Sequence, residues 1–140
     1  MNISISASAI IYNEKNQVLI AKRSPNKRLD PNLWETIGGT VEFGESPLEC
    51  LKREIGEELG CKLSNIKLFD VYSYVNKELN RQIISIQYVG TIKTKPKFNT
   101  EEIAELKWIA EIEISKLKFS MNCKERVLDY FKRIKNHKTP

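Results

Sequence analysis

The stretch that decides the fold is Gly39–Cys61, GTVEFGESPLECLKREIGEELGC. Ser46 stands where an N-cap belongs, Pro47 suits the first helical position, and Glu49 completes a capping box. A helix is predicted from Ser46 to Leu59, stopped by Gly60. At about 100° per residue, Leu48, Leu51, Ile55 and Leu59 fall in one narrow stripe, the expected core face. Glu54, Glu57 and Glu58 are expected on roughly the opposite side, clustered at i, i+3 and i+4. In a plain helix such like charges repel by about a few tenths of a kcal/mol per pair. A divalent cation that prefers hard oxygen ligands, such as Mg²⁺, reverses that sign and commonly bridges to phosphates. A solvated acidic face accounts for the same residues, so the helix alone leaves both readings open.

Upstream, Ile3, Ile5, Ala7, Ala9 and Ile11 alternate with Ser4, Ser6, Ser8 and Ile10, the period of a strand. Asn13–Gln17 reads as a turn and Val18–Arg23 as a hairpin partner. Ser24–Asn32, with Pro25 and Pro31, reads as a loop. Gly38-Gly39 punctuates before an expected short strand at Thr40–Phe43. Downstream, Ile66–Val75, Ile83–Thr94 and Leu106–Ala110 read as strands, with a loop at Lys95–Glu102. Val127, Leu128, Phe131 and Ile134 mark an amphipathic final helix. Strands and two helices mix without regular alternation, which predicts a mixed α/β sandwich.

At 140 residues the chain is expected to form one domain over 1–140. Apolar residues are 41% and charged residues 29%, ordinary globular usage, with no apolar run long enough to span a membrane and no signal-like N-terminus. A cytoplasmic protein is expected. Cys50, Cys61 and Cys123 are odd in number and lack metal-ligand spacing, consistent with reduced thiols. The one histidine, His137, lies near the C-terminus, which removes His-rich zinc sites and disfavours a Ser-His-Asp arrangement. Acid–base chemistry is left to carboxylates, Lys, Tyr or water. The net charge is +5, and all of the excess lies from Glu113 onward. A solvated helix face explains that excess better than nucleic-acid binding does.

The residues Gly39, Glu45, Arg53-Glu54, Ile55, Glu57-Glu58 and Gly60 resemble the signature of the Nudix hydrolase family, with Cys61 as the one departure, at its final aliphatic position. Such a match arises by chance roughly once in 10⁷ to 10⁹ windows at average residue usage. The resemblance implies an α/β/α sandwich with a mixed sheet and a loop-helix-loop catalytic unit. It implies hydrolysis of a nucleoside diphosphate linked to another moiety. Glu57 and Glu58 then look like the main Mg²⁺ ligands, Mn²⁺ being a substitute, with Glu54 a further ligand or the base. The Gly38 carbonyl looks like another ligand, and Arg53 with Glu45 a support pair. A late-loop acid, Glu102, resembles the family's additional base or metal ligand.

Ile10–Arg23 is similar to MutT-like dNTP pyrophosphohydrolases, in which an Arg placed as Arg23 contacts phosphate. In the same proteins an Asn placed as Asn122 reads a purine edge, although Asn122–Glu125 is also a capping-box pattern. Tyr74, Tyr88, Phe43 and Trp34 are candidate stacking residues or core. No proline occurs between Pro47 and Pro96, and no tyrosine at Lys77–Asn80, features associated with ADP-ribose and dinucleoside polyphosphate hydrolases respectively. The expected substrate is therefore a (d)NTP, cleaved to (d)NMP and pyrophosphate. ADP-ribose, or another nucleoside diphosphate derivative, is the alternative, and a non-catalytic nucleotide-sensing module is another. The expected partner is a small-molecule nucleotide, with no membrane and no need for nucleic acid. A homodimer stays open.

Overall fold

The computed structural model describes residues 2–137, His137 by its backbone only. The expectation placed on the His137 side chain therefore lies outside the described residues. Strand β1 (Asn2–Tyr12) runs through the middle of the sheet. On one side it pairs in parallel with β6 (Arg81–Ile92), which in turn pairs antiparallel with β5 (Leu63–Asn76). On the other side β1 pairs antiparallel with β4 (Ile37–Thr40) and then with β2 (Val18–Arg23). Strand β2 also carries β3 (Trp34–Glu35) and β7 (Ile103–Ile109). Helix α1 (Pro47–Leu59) covers one face, and a 3₁₀ turn (Glu111–Lys116) and α2 (Cys123–His137) cover the other. This is the expected α/β/α sandwich with a mixed sheet.

Alternation along β1 divides the core in two. Ala7, Ala9 and Ile11 face Leu51, Ile55 and Leu59 of α1, whereas Ile10 joins Val89, Val127, Tyr130 and Phe131 beneath α2. Each fully buried Leu or Ile contributes about 1.5–3 kcal/mol. Helix α1 begins and ends as its sequence dictates. Ser46 Oγ accepts from Glu49 N–H at 3.1 Å, and Glu49 Oε1 accepts from Ser46 N–H at 2.9 Å. Gly60 closes the helix at φ 61°, donating to Gly56 O at 3.0 Å.

Four local expectations are corrected. The strand expected at Thr40–Phe43 lies at Ile37–Thr40, with Gly38 and Gly39 inside it, because Val41–Glu45 turns around Gly44 at φ 89°. A Cβ at Gly38 would overlap Ala7 O and Ser8, so glycine there permits the close approach of β4 to β1 rather than punctuating it. In the first turn of α1, Leu48 is exposed and Cys50 is buried, its thiol donating to Gly39 O at 3.6 Å, because the helix start packs on β4. In α2, Leu128 is exposed and Tyr130 takes its place in the core.

The fourth correction concerns the acids. Only Glu57 faces solvent; Glu54 and Glu58 lie on the flank of the buried arc. On the helix wheel Glu58 is about 60° and Glu54 about 100° from Ile55, far from opposite. All three cysteines are buried free thiols. The C-terminal basic excess is dispersed: Arg126 is buried, Arg133 pairs with Asp70, and Lys135 with Glu111 at 2.7 Å. Among the described residues no helix is long and apolar enough to cross a membrane.

Candidate active site

Arg53 ties the loop to the helix. Its Nε and Nη2 donate to both oxygens of Glu45, at 3.1 and 2.8 Å, and its Nη2 reaches Thr40 O at 3.4 Å. The same guanidinium donates through Nη1 to Glu54 at 2.9 Å and Glu57 at 3.3 Å. Bidentate geometry fixes orientation as well as charge. Glu45 is pulled down to about 2, by Arg53 first and then by the backbone N–H of Glu42. The expected support pair is thus present as a structural feature.

Glu54 and Glu58 line a cleft of about 380 Å³. Gly39 lies against the first of them: a Cβ there would overlap the Glu54 carboxylate. Burial raises the pKa of Glu54 above the usual carboxylate value, although Arg53 pulls the other way. Glu58 is pushed up to about 8, by burial first and then by the charges of Glu54, Glu35 and Glu102. Its Oε2 is buried with no hydrogen-bond partner. Elevated carboxyl pKa values and an orphaned carboxyl oxygen describe a place that favours positive charge. Gly38 also lines the cleft, whereas Glu57 lies outside it on Arg53. Among the described residues no three metal-ligating side chains are drawn tightly together. The donor set nevertheless fits a hard divalent cation, since it offers carboxylate oxygens, one of them unpartnered.

Glu102 reaches the same cleft from the loop before β7 and pairs with Lys27. Arg23, at the end of β2, also lines it, held by Glu35 at 2.8 Å and by Leu29 O at 3.0 Å. Glu35 was not singled out in the sequence. Its burial raises its pKa even against Arg23, and its charge adds to that on Glu58. A carboxylate three residues before the Gly-Gly pair was the only signal for it.

Asn122 is not among the cleft-lining residues. Its Oδ1 accepts from Arg126 Nη2 at 2.6 Å, and it borders a shallow depression with Lys124 and Leu128. Arg126, one turn later and also unremarked in the sequence, lines the cleft instead. Of the candidate stacking residues, Tyr74 lines the cleft, Trp34 is buried in the α2 core, Tyr88 packs partly buried on the α1 core, and Phe43 is exposed.

The NUDIX domain family model matches residues 3–131. An uncharacterised Nudix hydrolase of Listeria innocua is 30% identical over 122 residues, covering 79% of this chain and 65% of that protein. The chain therefore spans about two-thirds of that relative's length. Among solved structures, a MutT Nudix hydrolase from Burkholderia pseudomallei superposes with a TM-score of 0.80 at 20% identity, covering 91% of this chain and 97% of that one. A MutT protein from Methanosarcina mazei gives 0.77 at 27% identity, covering 97% and 96%. Shorter matches bear different substrates in their names. An 8-oxo-dGTP diphosphatase of Escherichia coli is 35% identical, covering 49% of this chain and 52% of that one. An NAD-capped RNA hydrolase of Pseudomonas aeruginosa is 35% identical, covering 45% and 22%. Family membership therefore leaves the substrate undetermined, although members generally use a divalent cation such as Mg²⁺. With the signature clamp in place and the family match running almost end to end, the chain belongs to the Nudix hydrolase family and has its MutT-like fold.

Proposed function

We propose that this chain is a Mg²⁺-dependent nucleotide pyrophosphohydrolase that cleaves a (d)NTP to (d)NMP and pyrophosphate. The observation that carries the reading is Glu58 Oε2, an unpartnered buried carboxylate oxygen beside Glu54 in a cleft. Glu54, Glu58 and the Gly38 carbonyl, which border the cleft, would hold the cation, and Glu57 would join them by leaving its contact with Arg53. When bound, the cation supplies neutralisation of phosphate charge and a lowered pKa for bound water. Arg53 holds Glu45, Glu54 and Glu57 in register with the loop. Arg23 binds a phosphate oxygen, and Glu35 and Leu29 O orient its guanidinium. In the reaction a water oxygen bonds to phosphorus, the bridging P–O bond breaks, and the proton passes to a carboxylate, Glu102 or Glu54. Lys27 pairs with Glu102 beside the cleft.

A panel of triphosphates and ADP-ribose, assayed with Mg²⁺ and with pyrophosphate separated from orthophosphate, tests this. Nucleoside monophosphate and pyrophosphate are the expected products. A kcat/KM for ADP-ribose above that for every triphosphate would overturn the substrate assignment.

A further inference from the structure

Strands β1, β6 and β5 form a sheet segment with two unlike faces. One face turns Ser4, Ser6 and Ser8 into the cleft. The other carries apolar side chains. Register puts Ile3, Gln82 and Val75 in one row across the three strands, then Ile5, Ile84 and Ser73, then Ala7, Ile86 and Val71. No residue in these rows is charged. The two polar ones satisfy each other, Gln82 Nε2 donating to Ser73 Oγ at 2.9 Å. Helix α1 covers only one side of this face. Along the third row Ala7 is fully buried, Ile86 half-buried and Val71 exposed. Ile3, Ile5, Leu68, Val71 and Val75 are each 45–64% exposed.

A sheet with one solvated face turns polar residues to water and apolar residues inward. Here that order is reversed. The five exposed side chains present roughly 450 Å² of apolar surface in one patch, a size that is often functional. With Ile84, Ile86 and the Gln82–Ser73 pair included, two copies of this face packed together would bury about 1,300 Å², above the ~1,000 Å² expected of a specific interface. Ile3, Ile5, Val71, Val75, Ile84 and Ile86 are β-branched and lose little rotamer freedom when covered. The face offers no charge with which to select a charged partner. Apolar, uncharged character is instead the mark of interfaces between identical subunits. A two-fold axis sets such a face against its own copy at about 10 Å, the ordinary spacing of packed sheets.

We propose that this face of β1, β6 and β5 is a homodimer interface, covered by a second copy of the chain about a two-fold axis. It lies on the side of the sheet opposite the cleft floor, so both clefts point away from the partner. The proposal is therefore independent of the substrate reading.

Sedimentation equilibrium of the 140-residue protein tests it. Wild type is expected at twice the chain mass at about 50 μM. Val71→Asp and Val75→Asp each put an unpaired charge into the interface and should raise the dissociation constant about 100-fold or more. Both positions are exposed, so the fold should survive, which circular dichroism verifies. Should an aspartate variant not fold, Val75→Thr takes its place, with an expected weakening of about tenfold. Lys67→Glu, on β5 but in register with Val89 of the α2 core, should leave the dimer intact. A wild type that is monomeric at this concentration would overturn the proposal. So would a dimer unaffected by the substitutions at 71 and 75, or one lost equally in Lys67→Glu. A monomer that floats with phosphatidylcholine vesicles would give the face to a lipid surface and likewise overturn it.

Discussion

Helices α1 and α2 solve one packing problem in the same way and then diverge in charge. Each buries an apolar arc on its face of the sheet, Leu51, Ile55 and Leu59 on one side and Val127, Tyr130 and Phe131 on the other. Each also carries ionisable residues on the flank of that arc, where the arc meets the cleft. On α1 these are the acids Glu54 and Glu58; on α2 it is Arg126. One wall of the cleft therefore holds crowded, buried carboxyl groups, and the floor holds an arginine whose hydrogen-bond acceptors are all neutral. The flank of an amphipathic helix, neither core nor solvent face, is where this fold places the ionisable side chains that line the cleft.

The largest effect is expected on the acidic flank. Glu58→Gln should lower kcat by about 10³-fold, some 4 kcal/mol of barrier, while the metal-free protein melts no lower than wild type. Steady-state turnover at saturating Mg²⁺, read with melting curves, checks this. Retention of most of the turnover would remove Glu58 from the cation site and break the comparison between the two flanks. Glu57→Gln, on the exposed side of Arg53, should cost less than Glu58→Gln.

What the sequence made legible follows from locality. The capping box at Ser46 and Glu49 and the stop at Gly60 are short-range patterns, and each stands as read; the Arg53–Glu45 contact, implied by the family resemblance, is also present. The opposite-side placement of Glu54 and Glu58 failed because the wheel itself sets them only about 100° and 60° from Ile55, and because buried Cys50, left out of the stripe, widens the arc toward them. The β4 strand was displaced because Gly38-Gly39 reads locally as a break, whereas its use is close approach to β1. Arg126 was invisible for a different reason. An arginine beside Val127 looks like any solvated helix position, and its partners Ser8, Thr36 and Gln87 are 118, 90 and 39 residues away. The serines of β1 were read as the polar half of an alternation, without any sign that they floor a cleft.

Arc and flank should separate in stability as well. Leu51→Ala empties a fully buried site and should cost about 3 kcal/mol, within the usual range for such cavities. Leu48→Ala should cost under about 0.5 kcal/mol. The same contrast is expected on α2, Val127→Ala against Leu128→Ala. Urea denaturation of the four variants measures it, and a large loss from Leu48→Ala would restore the stripe expected from the wheel.

A smaller effect lies in the pH dependence of the metal-free protein. Glu58 titrates near 8 when folded and near about 4.3 when unfolded. Between those values the folded state binds the extra proton. Its stabilising contribution is thus complete below about pH 4 and is lost as pH rises through 8. In EDTA, melting temperature should fall between pH 6 and 8.5, the loss amounting to about 2 kcal/mol. Saturating Mg²⁺ or Glu58→Gln should flatten that slope. A slope that survives in Glu58→Gln would place its source elsewhere.

The smallest effect concerns Glu102, at the mouth of the cleft and half exposed. Its pairing with Lys27 sets it apart from Glu101 and Glu105, which line no part of the cleft. An exposed pair of this kind adds little to stability, about 0–1 kcal/mol, so Glu102→Gln should leave the melting temperature nearly unchanged. Its effect on rate should be larger, because removing the carboxylate removes a proton acceptor and frees Lys27 to neutralise Glu58. A fall in kcat of about fivefold, near 1 kcal/mol of barrier, is expected for Glu102→Gln, and under twofold for Glu101→Gln and Glu105→Gln. Lys27→Met separates the two contributions: it leaves the acceptor in place, so kcat should stay closer to wild type than in Glu102→Gln. Equal, small changes in all four variants would make Glu102 an ordinary loop acid and confine the chemistry of the acidic wall to the flank of α1.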